Sequence, residues 1–292
     1  MRDERCLSRA AVPHLRSLRK GRLQMFGAIY GDVIGSYYEV HCTKDPDFPF
    51  RQDSTFTDDS VLIAAVCDTI LADPSGIRRF GFRERAKEYA VRYRQYYSRF
   101  PDAGFGNMFS EWARSDTFRI VRSYANGAAM RVMPIAYAYD DEREMLEQVR
   151  ASCYYTHHHR EAAAGAGAVA LAVYMAREGA DKKEIRDAVS KRFRYDLSTP
   201  IESLRGVHVF NSRASYSVPA AMIAFLQSHD YESALRNAIS LGGDADTEAC
   251  IAGGIAEAFY KEIPDRIRRF CDMKTDVSIR SVVARFESVW GK

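Results

Sequence analysis

In the stretch FGAIYGDVIGSYYE, residues 26–39, glycine returns at every fourth position: Gly27, Gly31 and Gly35. At the α-helical period such residues share one face. Each glycine costs a helix about 1 kcal/mol relative to alanine. Three in register therefore predict a face that meets another backbone with no side chain between. That contact commits the chain to a core of helix on helix.

The remaining periodicity agrees. Helical patterns cover about 58–72, 83–99, 128–139, 142–155, 160–177, 182–193, 218–228, 231–241, 247–261, 264–272 and 277–290. Alternation of the strand kind is rare, and GVHVF at 206–210 is the best candidate. No fixed-period repeat, linker or low-complexity block interrupts the pattern. The expectation is an all-α, compact single-domain orthogonal multi-helix bundle of a dozen or so helices. With 292 residues and 47% apolar content, such a domain can bury a substantial core.

Several function classes drop out. The longest uncharged helical run, AAAGAGAVALAVYMA at 162–176, is short of the roughly 20 residues a bilayer needs. Its Ala and Gly content predicts a tightly packed central helix instead. A net charge of +3 with scattered arginines does not suggest a nucleic-acid surface. Six cysteines (6, 42, 67, 153, 250 and 271) lie far apart with no C-x-x-C, which reads as reduced, buried thiols of a cytoplasmic protein. Residues 1–24 are basic and lack an apolar h-region, so they are not a signal peptide, and Asp3 and Glu4 argue against a transit peptide. They read as an N-terminal extension, disordered or a misplaced start, ahead of a domain over 25–292.

Two acidic clusters carry the chemistry. STFTDDSVLIAAVCDTIL, residues 54–71, sets Thr57, Asp58 and Asp59 ahead of an apolar helix. ISLGGDADTEACIAGGIAEAFY, residues 239–260, does the same with Asp244, Asp246 and Thr247. An aspartate at a helix N-terminus is ordinarily a cap. A cap needs one acceptor, however, and each stretch supplies two carboxylates and a hydroxyl. Glycines 242 and 243 add a point of close backbone approach. If the two helix mouths meet, four aspartates share one small volume, and they cannot all stay ionised without cations. The donors are hard oxygens, which suits Mg²⁺, Mn²⁺ or Ca²⁺ rather than zinc. The set is large enough for two divalent ions.

The chain resembles the ADP-ribosylglycohydrolase family, which includes the dinitrogenase-reductase-activating glycohydrolases. GAIYGDVIGSYYE is similar to that family's opening G-x-x-x-G-D-x-x-G helix and following glutamate. FTDDS resembles its T-D-D-[ST] metal motif, NGAAMRVMPIA its N-G-x-x-M-R segment, THHHREAAAGA its T-H-x-H-x-E-A-x-x-G-A, and LGGDADTEACIAGGIAEAFY its G-G-D-x-D-T helix. Five motifs in the family's order span Met25 to about Tyr260.

That resemblance implies an all-α fold of the ADP-ribosylglycohydrolase type with two divalent cations, Mg²⁺ or Mn²⁺. Thr57, Asp58, Asp59, Asp244, Asp246 and Thr247 would be the ligands, with Asp246 shared. Glu39 and Asp58 would stand at the catalytic position. Tyr124, Asn126, Gly127, Ala128 and Met130 would form the pyrophosphate loop, and Gly106 and His157 would border the substrate. His159 and Glu161 would make structural hydrogen bonds at a helix start. The implied activity is hydrolysis of the bond between ADP-ribose and an acceptor, arginine on protein first. Small-molecule conjugates and ADP-ribosylated nucleic acid stay open as partners. Two-metal phosphoester hydrolysis and non-catalytic ADP-ribose binding are the alternatives. Relatives commonly carry glycine where Ala125 stands, and alanine would be strained there if the backbone were left-handed.

Overall fold

The structure, a computed structural model, describes residues 25–76, 78 and 81–291; the extension inferred at 1–24 lies outside them. Among the described residues there are fourteen α-helices, one 3-10 turn and no strand. α1 (Gly27–Val40) lies against α12 (Ala245–Tyr260), and this pair is the centre of the fold.

The glycine register explains the pair. A Cβ at Gly31 would sit 2.1 Å from the Ala249 carbonyl oxygen, and one at Gly35 would sit 2.5 Å from that of Ala245. As numbering rises by four on α1 it falls by four on α12, so the helices are antiparallel. The C-terminal end of α1 therefore meets the N-terminal end of α12. At the opposite end Glu257 of α12 accepts hydrogen bonds from the Gly27 N–H (2.7 Å) and the Phe26 N–H (3.2 Å), capping α1. Every residue from Ala245 to Ala258 is buried.

Around this pair pack α11 (Tyr231–Ile239), α10 (Ala214–Leu226) and α7 (Arg160–Arg177), while α2 (Asp58–Ala72) packs between α3 (Phe82–Arg99) and α14 (Val277–Trp290). α7 is the Ala/Gly run read as a tight central helix, and its Gly165 faces Ala214 and Val218 of α10. The order is completed by α4 (Asn107–Arg114), α5 (Met133–Ala138), α6 (Glu142–Cys153), α8 (Lys182–Phe193), α9 (Ile201–Arg205) and α13 (Asp265–Asp272).

The structure corrects several boundaries. The segment expected as one helix over 128–139 is a 3-10 turn at Asn126–Ala128 followed by α5, whose start is set by Pro134 in its first turn. α10 begins four residues ahead of the expected 218 and runs through Pro219. α4 was not expected, and α9, at five residues, is too short to show a period. GVHVF is not a strand; two isolated bridges, Arg122 to His157 and Ala125 to Arg213, are the β-type pairing present. Its alternation has another cause. His208 is pinned inside by Glu248, Nε2 to Oε1 at 2.7 Å, and by Lys44, which donates to the His208 carbonyl, while Val207 and Val209 face solvent. Of the cysteines, 67, 153, 250 and 271 are buried free thiols, but Cys42 is exposed.

Candidate functional site

The antiparallel pairing brings the two acidic clusters together. Asp244 holds the N-cap position of α12, with Asp246 and Thr247 in its first turn; Asp58 and Asp59 open α2 behind the N-cap residue Thr57. All six line one cavity of about 370 Å³.

Capping explains only part of this arrangement. The Thr57 hydroxyl caps α2 by accepting from the Asp59 N–H (3.3 Å). Asp244, by contrast, makes no side-chain cap bond at all; its Oδ2 accepts instead from the Asn126 side-chain amide at 2.9 Å. Asp59 Oδ2 accepts from the Thr247 hydroxyl (3.3 Å), joining the two helix mouths, while Asp59 Oδ1 is buried with no hydrogen-bond partner at normal geometry among the described residues.

Carboxylate oxygens of Asp32, Asp59 and Asp246 lie within 4.8 Å of one another, as do those of Glu39, Asp244 and Asp246. Asp246 belongs to both triads. Asp58 lies on the cavity wall outside them. Asp32 was not singled out in the sequence. It sits on α1 and is fully buried, accepting from the Thr57 N–H (3.0 Å), the Thr57 hydroxyl (2.7 Å), the Ser60 N–H (3.1 Å) and the Ser60 hydroxyl. The signal was present: a lone acid inside an apolar, glycine-faced helix must be compensated.

Burial raises the carboxyls of Asp32, Glu39, Asp59 and Asp246, and like charge among the acids adds to it at Glu39, Asp59 and Asp246. Asp58 is pushed up to about 8, by burial first and then by Asp32, Asp244 and Glu39. Anions crowded in this way call for cationic charge. An orphaned Asp59 oxygen and two triads of hard donors fit divalent cations of the Mg²⁺ or Mn²⁺ kind.

Asn126, Gly127, Met130 and His157 line the same cavity, with Gly106 at the N-cap of α4. Tyr124 and Ala128 are not part of the lining: Ala128 is buried in the core, and Tyr124 is exposed, with its ring 6.0 Å from that of His159. Ala125 has φ −70°, so no left-handed strain arises there. Gly243 approaches His208, because a Cβ on it would fall 2.4 Å from the imidazole Nε2.

The helix-start roles of His159 and Glu161 hold. His159 accepts from the Glu161 N–H at 3.3 Å, and Glu161 takes both Nε (2.6 Å) and Nη2 (2.7 Å) of Arg213. Arg213 bridges to Ala125, so this pair braces the loop beneath the cavity. Hydrogen bonds from Arg213 and Ser215 hold the Glu161 carboxyl down at about 2. A depressed carboxyl contributes stability above its unfolded pKa and loses it as pH falls. Glu161→Gln is therefore expected to lower Tm at pH 7, and the gap should narrow as pH drops from about 4.5 toward 2. A pH-independent gap would exclude a charge contribution.

A family model described as ADP-ribosylglycohydrolase matches residues 16–290. ADP-ribosylhydrolase ARH3 of Homo sapiens is 27% identical, with the match covering 93% of this chain and 95% of that protein. The ARH3 of Danio rerio is 25% identical, covering 85% of each. A solved structure titled ADP-ribosylglycohydrolase-related protein complex shares the fold at a TM-score of 0.65 and 23% identity, over 92% of this chain and 97% of its own. With the family match running from residue 16 nearly to the C-terminus, over the helices that bring the two acidic clusters together, this chain belongs to the ADP-ribosylglycohydrolase family.

Proposed function

We propose that the chain is a divalent-cation-dependent hydrolase that cleaves the glycosidic bond between ADP-ribose and an acceptor, arginine on protein being the first candidate. The observation that carries this reading is the pair of carboxylate triads sharing Asp246 at the cavity.

Asp32, Asp59 and Asp246 would hold one cation, and Glu39, Asp244 and Asp246 the other, with Thr57, Asp58 and Thr247 beside them. When bound, the pair supplies positive charge that neutralises the acids, orients vicinal sugar hydroxyls and acidifies a nearby water. The protein's own residues do the rest. Glu39, in the last turn of α1 with its carboxyl reaching the cavity, takes a proton from the attacking water or steadies charge as the sugar becomes oxocarbenium-like. Asn126, tethered to Asp244 and to the Ser217 hydroxyl (3.0 Å), fixes the loop on which the pyrophosphate rests. The free buried thiols fit a reducing compartment, and no helix among the described residues is long and apolar enough to cross a membrane.

The test is incubation with ADP-ribosyl-arginine and with serine-linked, nucleic-acid-linked and small-molecule conjugates, with and without Mg²⁺ or Mn²⁺. Metal-dependent release of intact ADP-ribose is expected. Release of AMP or phosphate would identify a phosphoester hydrolase instead, and binding without turnover under any cation would identify a non-catalytic binder. Glu39→Gln is expected to lower kcat by at least about 10²–10⁴, the usual range for a general acid–base group, and to diminish the Mg²⁺-induced thermal shift, because Glu39 also belongs to the second triad; wild-type kcat in that variant would remove Glu39 from the chemistry.

A further inference from the structure

The same cavity is lined by a second polar assembly, built from Arg131, Thr156 and His157. Arg131 is fully buried. Its Nη2 donates to the Thr156 hydroxyl oxygen (2.7 Å) and the Ser152 carbonyl (3.2 Å), and its guanidinium lies 4.2 Å from the Tyr93 ring centroid. A guanidinium only donates. Thr156 Oγ1 therefore accepts from Arg131, and its own proton needs an acceptor. Among the described residues the one group placed to accept it is His157 Nδ1, at 2.9 Å, and the imidazole tautomer sets the direction of that bond.

If Nδ1 accepts, the ring proton resides on Nε2. Nε2 makes no hydrogen bond to any described residue, although His157 is only 5% exposed and its ring lines the cavity. Gly127 gives it room, since a Cβ there would stand 3.0 Å from Nε2. Burial, with the charge of Arg131 added, holds the imidazole well below its ordinary pKa, so the ring stays neutral.

We propose that Arg131 and Thr156 are positioning residues that lock His157 as the Nε2–H tautomer and so aim one neutral hydrogen-bond donor at a pyrophosphate oxygen of the ligand. The ligand half of this statement rests on the function proposed above; the tautomer half does not.

The experiment uses the full chain with ¹⁵N-labelled histidine and two-bond ¹H–¹⁵N correlation at pH 7, alongside calorimetric titration of ADP-ribose in Mg²⁺. Wild type is expected to show His157 with the proton on Nε2. Thr156→Val should lose that single tautomer and bind ADP-ribose about tenfold more weakly, the scale of one neutral hydrogen bond. Thr156→Ser, which keeps the hydroxyl, should restore both. The thermal shift produced by Mg²⁺ alone should be unchanged in either variant, because the acids are untouched; a merely structural role would diminish it together with ADP-ribose affinity. A wild-type proton on Nδ1 overturns the proposal, as does a Thr156→Val protein with unaltered tautomer and affinity. If wild type binds no ADP-ribose while the Nε2 proton is observed, the proposed function fails, the tautomer assignment stands and its pyrophosphate role falls.

Discussion

Asp246→Asn is expected to abolish turnover, with kcat/KM falling at least about a thousandfold, or roughly 4 kcal/mol of transition-state stabilisation. Among the described residues no other belongs to both carboxylate triads, so one substitution would weaken both proposed cation positions at once. The variant keeps an oxygen at Oδ1 to accept the Thr247 N–H, a 2.8 Å bond, and the fold should therefore survive. Its stability without metal should equal or exceed that of wild type. Burial first, and then Asp59, Asp244, Glu39 and Asp32, press on this carboxyl, and an amide feels none of the charge repulsion. Titration with Mg²⁺ separates the two proteins. A cation binding only the folded state stabilises wild type by about 2.7 kcal/mol at a hundredfold excess over Kd, and Asp246→Asn should show almost none of that shift. Wild-type turnover in this variant, or full wild-type activity in excess EDTA, would refute the cation reading.

The second large effect belongs to the fold. Gly31→Ala should destabilise the protein by about 3 kcal/mol or more, at or beyond the upper end of overpacking costs, and Gly31→Val should prevent folding. The reason is geometric: a Cβ at position 31 meets the Ala249 carbonyl oxygen at 2.1 Å and its carbon at 2.5 Å. These are backbone atoms of a helix buried along nearly its whole length, so α1 and α12 must separate. Activity should fall with stability, because α1 carries Asp32 and Glu39 while α12 carries Asp246 and Thr247. Gly106→Ala is the control. Nothing lies within 4 Å of a Cβ there and φ is −61°, so unfolding midpoints in urea should change by less than about 0.5 kcal/mol. A Gly31→Ala protein as stable as wild type would mean that the two helices do not touch as described.

Much of this was legible in the residues alone. The four-residue glycine spacing announced a backbone contact, the apolar periods located most helices, and the acids ahead of two helices announced a shared acidic site. Asp32 was less legible, although it lies within the quoted glycine motif. What gives it a role is the Thr57 and Ser60 backbone and hydroxyls, which come from another helix. GVHVF misled for a related reason. Alternation reports which side chains are buried, and His208 is buried by Glu248, forty residues away, rather than by a neighbouring strand. The five-residue α9 escaped because so short a helix gives a period too few repeats to show.

Local sequence thus determined the element types, the smooth face of α1 and the chemistry of the donors, since propensity, periodicity and oxygen hardness are properties of neighbouring residues. Tertiary structure alone decided which acids share one cavity, that Asp246 belongs to both carboxylate triads, and that Thr156 meets the imidazole of His157. Those outcomes depend on the antiparallel register of α1 and α12 and on distances between residues far apart along the chain, which only the packed backbone fixes.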